Sequence, residues 1–170
     1  MPQASTPSHQ TTVTWGDPRI VYAAHARMSS IEVFRAMKAG RLPMEPTMSL
    51  LGAQIHSVAP AEVTVMLEIG EQHLDHTGHV QAGILAALTD TAAGYAVHTR
   101  VPVGVRCASI ELQVSLVEPV PLSAGRIAIV GRAIHVGARI ATCEATVTAA
   151  DGTLHARMSM VMIVTPSHPA

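Results

Sequence analysis

The sequence predicts an α+β domain in which an antiparallel sheet wraps around one long central helix, and three observations carry that expectation. Apolar and polar residues alternate over residues 61–69, 109–116, 140–147 and 154–164, the two-residue repeat of half-buried strands. Residues 80–98 are instead rich in Ala, poor in β-branched side chains and apolar nearly all round, which fits a helix buried on most faces. The length of 170 residues suffices for one well-buried core but not for two full domains.

The elements follow in order. Residues 1–28 show little periodicity and are expected to be a flexible or loosely packed segment, with Trp15 and Tyr22 able to pin part of it. Residues 29–170 are expected to form the domain. Ser29-Ser30-Ile31-Glu32 has the form of a capping box, placing Ile31, Phe34 and Met37 on one face of a short helix that Gly40 ends. Pro43 and Pro46 are expected to return the chain to extended structure. In the first alternating run Val63, Val65, Leu67 and Ile69 share a face; in the second Ile110, Leu112, Val114 and Leu116 interleave with Ser109, Glu111, Gln113 and Ser115. The last run puts Leu154, Ala156, Met158, Met160, Met162 and Val164 on one face, after an Asp151-Gly152 turn that makes a hairpin with the strand before it. Its methionines read as ordinary core. The expected order is a lead helix, one or two strands, a central helix with Ile84, Leu85, Leu88, Tyr95 and Val97, and four antiparallel strands. This is the order of a sheet curled around a helix, the hot-dog arrangement.

Composition narrows the partners. Lys+Arg number 11 against 12 Asp+Glu, and the basic residues are scattered singly, so neither nucleic acid nor an anionic membrane is an expected partner. Cys107 and Cys143 form no CxxC pair and are expected to be reduced, packed thiols. The N-terminus lacks an apolar signal-like core, which places the protein in the cytoplasm. Residues 80–97 are long enough to raise a membrane span, but Asp90 at the bilayer centre would cost about 3 kcal/mol. A buried helix carrying one functional carboxylate fits better.

Asp90 has Ala86, Ala87, Ala93 and Gly94 three and four residues away, so its helix face has little bulk and leaves room for a ligand. At the helix start, Gln81, Ala82 and Gly83 offer backbone N–H groups without intrahelical acceptors, able to hold a developing oxyanion. The bland alternative is a buried polar Asp90 satisfied by neighbours, and from chemistry alone the two readings are evenly matched. His73, Asp75, His76 and His79 form an HxDHxxH cluster; its spacing matches no common zinc pattern, and no metal is expected there. No Gly-x-Ser-x-Gly elbow occurs, which disfavours a serine hydrolase. Arg126, Arg132 and Arg139 flank strands, where guanidinium groups suit the phosphates of coenzyme A; Arg132 reads better as a solvated strand end.

The run from Gly78 to Ala92, GHVQAGILAALTDTA, resembles the signature of the PaaI-type thioesterases of phenylacetate degradation, roughly N-x-x-G-x-V-H-G-G-x-x-x-x-L-x-D-x-A. The resemblance extends over residues 50–165, including Ser109-Ile110-Glu111-Leu112, Glu118-Pro119, Gly137-x-Arg139 and Asp151-Gly152. It implies a hot-dog fold, acyl-CoA as substrate, no separate cofactor since coenzyme A is part of the substrate, and a homodimer or homotetramer with active sites between chains. By position it implies Asp90 as general base or nucleophile, the amides of Ala82 and Gly83 at the oxyanion, and Ser109 reaching across from a second subunit to orient water. His76 and Gly78, with Arg126 and Arg139, are the expected substrate contacts.

This chain departs from the pattern at three positions. Asp75 stands where the family has Asn, and an ionised carboxylate cannot donate the hydrogen bond an amide gives. Gln81 stands for the family's His and Ala82 for its first Gly; both keep a donor. Were Asp75 and Asp90 close, like charge would raise one pKa and leave one acid and one base. The expected function is therefore hydrolysis of a small or medium, aromatic or aliphatic, acyl-CoA. The alternative is a hot-dog protein that binds acyl groups without turnover; a dehydratase is less favoured, since its usual His–carboxylate pair would fall to His76 or His79.

Overall fold

A computed structural model describes residues 8–165, so the ends of the two expected spans, residues 1–7 and 166–170, lie outside it. Four α-helices, α1 (Pro18–His25), α2 (Ser30–Lys38), α3 (Pro46–Leu51) and α4 (Ala82–His98), accompany six strands: β1 (Gln54–Ala59), β2 (Glu62–Glu68), β3 (Arg106–Leu116), β4 (Arg126–Val136), β5 (Ile140–Ala149) and β6 (Leu154–Thr165). All pairings are antiparallel, in the order β1-β2-β4-β5-β6-β3. The sheet curls around α4, giving the hot-dog fold.

Burial of α4 follows from its composition. Leu85, Leu88 and Ala92 join Val65, Leu67, Ile127, Ile129 and Val147 in one core cluster, while Ala93 and Val97 join Cys143, Met158, Met160 and Met162 in a second. The three methionines are core, as expected. Tyr95 completes a third cluster with Val33, Phe34 and Met37 of α2, its ring stacked on Phe34 at 4.3 Å between centroids. Small residues let helix and sheet come together: a Cβ on Gly131 of β4 would collide with the backbone of Ala92 and Ala93.

The α2 capping box forms as the sequence predicts. The Ser29 hydroxyl accepts from the Glu32 amide, and the Glu32 carboxylate accepts from the Ser29 amide at 3.0 Å. Asp151-Gly152 makes the β5–β6 turn, with Gly152 at φ +89°.

Three local expectations are corrected. Pro46 does not extend the chain; it occupies the first turn of α3, where a fixed φ suits a helix start and the missing N–H is no loss. Residues 18–25, expected as part of a loose segment, form α1, which is capped by Asp17 and buries Val21, while Trp15 and Tyr22 stay exposed. Finally, β3 is a strand but not a half-buried one. It is an edge paired only with β6, and Ile110, Leu112 and Leu116 are largely exposed in the single chain.

Candidate active site

Asp90 projects from the middle of α4 and is half-buried. The Ser109 hydroxyl donates to its Oδ1 at 2.7 Å within the same chain, not across a subunit boundary as the resemblance implied. The register of β3 accounts for this. A bulge between Ser109 and Glu111 turns Ile110 outward and leaves Ser109 facing the helix. The expected open face around Asp90 is open on one side only. Ala86 and Ala87 are partly exposed, whereas Ala93 and Gly94 are buried against the sheet, with Met162 of β6 beside Gly94.

The start of α4 is built differently. Gln81 is its N-cap: Oε1 accepts from the Ile84 amide at 3.2 Å, so this side chain serves the helix. Gly83 makes room for that cap, because a Cβ there would lie 2.8 Å from Gln81 Oε1. The amides of Ala82 and Gly83, the first two of the helix, are exposed and have no acceptor among the described residues.

Ala82 lines a groove of about 290 Å³ together with Asp75, Thr77, His79, Leu85 and Val120. Asp75 Oδ1 accepts from the Thr77 hydroxyl at 2.6 Å, the Thr77 amide at 2.8 Å and, at 3.4 Å, the His79 amide. The Thr77 hydroxyl and amide, helped by the His79 amide and the nearby His76, hold the Asp75 carboxyl below the usual carboxylate range. Asp90 is not among the groups that shift Asp75, so the like-charge effect considered for a close Asp75–Asp90 pair is not seen at Asp75. Gly78 lies in the same loop at φ +82°, a left-handed conformation that glycine adopts without strain. His76 is exposed and outside the groove lining.

The HxDHxxH cluster separates into unlike roles. His73 is buried, its Nδ1 accepting from the Gly70 amide at 2.9 Å, so that Nε2 carries the proton and donates to the Leu51 carbonyl at 3.0 Å. It ties the loop to the end of α3. No group of three or more His, Cys, Asp or Glu residues is placed to hold a metal among the described residues.

Arg126 and Arg139 are not brought together. Arg126 opens β4 and pairs with Glu68, whereas Arg139 lies in the β4–β5 hairpin, and the length of β4 that separates them is about 33 Å. Arg132 is exposed and pairs with Glu62 at 2.9 Å, but it lies inside β4 and not at a strand end as expected. Burial, with a smaller effect of the Asp90 charge, pushes the Cys143 thiol up to about 12, so it is a neutral core group.

Sequence reasoning missed Glu45 and Thr77. Glu45 lies just ahead of α3, half-buried. Burial pushes its carboxyl pKa up and the nearby Asp90 charge adds to that, while the facing Tyr95 hydroxyl opposes it. Tyr95 Oη itself is buried and closes no hydrogen bond among the described residues. Glu45 carries no motif signal, since its place beside Asp90 depends on how α3 folds back. Thr77 was legible as an Asp-x-Thr turn.

A carboxylate held by a hydroxyl, and a helix start with free amides beside a groove, stand on a hot-dog fold. Residues 77–156 match the family model of the thioesterase superfamily. A Halobacterium salinarum protein described as a candidate esterase is 28% identical over 121 residues, covering 68% of this chain and 78% of that protein. A thioesterase family protein from Silicibacter pomeroyi superposes with a TM-score of 0.70 at 23% identity, over 86% of this chain and 99% of its own. An Asn-to-Asp variant of the phenylacetic acid degradation protein PaaI from Thermus thermophilus superposes with a TM-score of 0.63 at 28% identity, over 70% of this chain and 98% of its own. Among the described residues no helix is long and apolar enough to cross a membrane.

Proposed function

We propose that the chain is a PaaI-like acyl-CoA thioesterase whose active site is shared between two copies. The observation that carries this reading is the Ser109–Asp90 pair at 2.7 Å and its distance from the helix start. Asp90 follows Ala82 by eight residues on one helix, about 12 Å along its axis. The oxygen of a thioester attacked at Asp90 must lie about 3 Å from its oxyanion donors. One chain therefore cannot supply both, and the amides of Ala82 and Gly83 come from a second copy. Ser109 stays with its own Asp90.

In this site Ser109 occupies Asp90 Oδ1 and leaves Oδ2 to accept the proton of a water molecule. The water oxygen bonds to the acyl carbon, and the carbonyl electron pair moves to the oxygen held by the two amides. Collapse of that intermediate breaks the carbon–sulfur bond, and the departing thiolate takes the proton from Asp90. The acyl group occupies the groove beside Leu85 and Val120, whose volume of about 290 Å³ suits a small or medium chain.

The test is thiol release from short, long and aromatic acyl-CoAs, comparing the native chain with Asp90→Asn at matched folding and oligomeric state. Turnover by the native chain, lowered at least a hundredfold in the variant, is expected. A second reading, binding of acyl groups without turnover, is favoured by Asp75, an acceptor where the resembled family has a donor. Tight binding with no thiol release by the native chain would establish it.

A further inference from the structure

Helix α1 is fastened at three places. Val21 enters the cluster of Val33, Phe34 and Tyr95. On the exposed side the Arg106 guanidinium lies 4.8 Å over the Tyr22 ring. At the C-terminal end the His25 ring stands edge-on to Phe34 at 5.4 Å, with Nδ1 3.2 Å from Ser30 Oγ, and leans against the His98 ring with centroids 5.9 Å apart. His98 is the last residue of α4 and its ring faces the Cys107 backbone in β3. Two imidazoles thus join α1 to α2, α4 and β3.

Their surroundings offer no counter-charge. No ion pair joins either ring to a carboxylate among the described residues. On α1 the neighbouring groups are Tyr22 and, just beyond the helix, Arg27; on α2 the Glu32 carboxylate is turned back onto Ser29, 2.7 Å from its hydroxyl. Arg100 lies just past α4, and β3 contributes Arg106 and the Cys107 thiol, which burial keeps neutral. A proton on either ring would meet a second imidazole in place of a carboxylate.

We propose that α1 is a strap released by acid: His25 and His98, packed ring against ring while neutral, hold it over the start of β3, and a proton on either ring unfastens it. Burial, with the neighbouring His25, pushes His98 down to about 4, against a weaker opposing effect of the Cys107 backbone, and burial also pushes His25 down. A depressed imidazole pKa means that docking is at full strength above the free value of 6.5 and weakens as pH falls from there toward 4. Each unit of displacement is tenfold, so were all of the His98 displacement due to α1, docking would weaken at most about 30-fold at pH 5 and about 300-fold once fully protonated; the burial that α4 and β3 supply lowers both figures. Because Cys107 lies two residues before Ser109, release frees the strand end nearest the Asp90 pair.

The experiment is hydrogen exchange of the full chain between pH 7 and pH 4.5, corrected for intrinsic rates, following residues 18–25 and β5 separately. Protection of residues 18–25 should fall by pH 5, by up to about 30-fold, while β5 keeps its own. In the His25→Phe, His98→Phe double variant, whose rings cannot charge, residues 18–25 should stay protected at pH 5. The proposal is overturned if native α1 protection does not change with pH, if it falls only together with β5, or if the folded double variant follows the native profile. The first two outcomes need only the native chain, so a variant that fails to fold does not shelter the proposal.

Discussion

If two copies share each site, two inactive variants should restore one another. The informative pair is Asp90→Asn, which removes the base, and Ala82→Pro, which deletes one oxyanion N–H. Proline suits Ala82 because it is the first residue of α4, and the preceding Gln81 already has the extended conformation, φ −62° and ψ 131°, that proline demands of its neighbour. Losing one oxyanion donor costs roughly 100- to 1000-fold in kcat, and losing the base costs a similar amount, so each variant alone should be nearly silent. With about 12 Å between the two positions on one helix, an intact site needs Asp90 from one chain and Ala82 from another. After equimolar random exchange, half of the sites take Asp90 from the Ala82→Pro chain, and half of those take Ala82 from the Asp90→Asn chain. About a quarter of native activity should return, in a dimer or a tetramer alike. The assay is thiol release before and after subunit exchange, with exchange verified by mass. Activity that stays at the sum of the separate variants after complete exchange would refute the shared site.

Two further outcomes follow from single contacts. Ser109→Ala should lower kcat about tenfold, the worth of one hydrogen bond to a charged group, and leave the melting temperature nearly unchanged because Ser109 is exposed; Ser109→Thr, which keeps the hydroxyl, should recover most of the rate. Gly131→Ala should destabilise the fold by about 3 kcal/mol in thermal unfolding, because its Cβ is driven into the α4 backbone at Ala92.

The fold was legible because its signals are local. Alternation at Val63, Val65 and Leu67 became β2 with those three buried, and the Ala-rich window became α4. The capping box at Ser29 and the Asp151-Gly152 turn each depend on residues a few positions apart, which a sequence displays directly. Pro46 was misread because the same residue that ends one extended stretch also starts a helix, and only the chain beyond it decides. The site was legible in part. Asp90 and Ala82 belong to one motif, but that Asp90 meets Ser109 of its own chain depends on a β3 bulge that no spacing announces. Glu45 came to Asp90 through tertiary folding alone.

The misjudged burial of β3 bears on the proposed assembly. Alternation at Ile110, Leu112, Val114 and Leu116 is the pattern of a strand with one covered face, yet Ile110, Leu112 and Leu116 are between 42% and 59% exposed and the strand has β6 on one side only. An apolar edge strand with free N–H and C=O groups is a standing invitation to pair, and chains that stay single blunt such an edge with charges or proline. Between Arg106 and Leu116 the only charged side chain is Glu111, and there is no proline. The helix separates Asp90 from Ala82 by a distance no rotamer closes, and the strand beside Asp90 leaves an unblunted edge. On the proposed site both observations favour a second copy, one on chemical and one on structural grounds, and both favour the side of the molecule that carries Ser109.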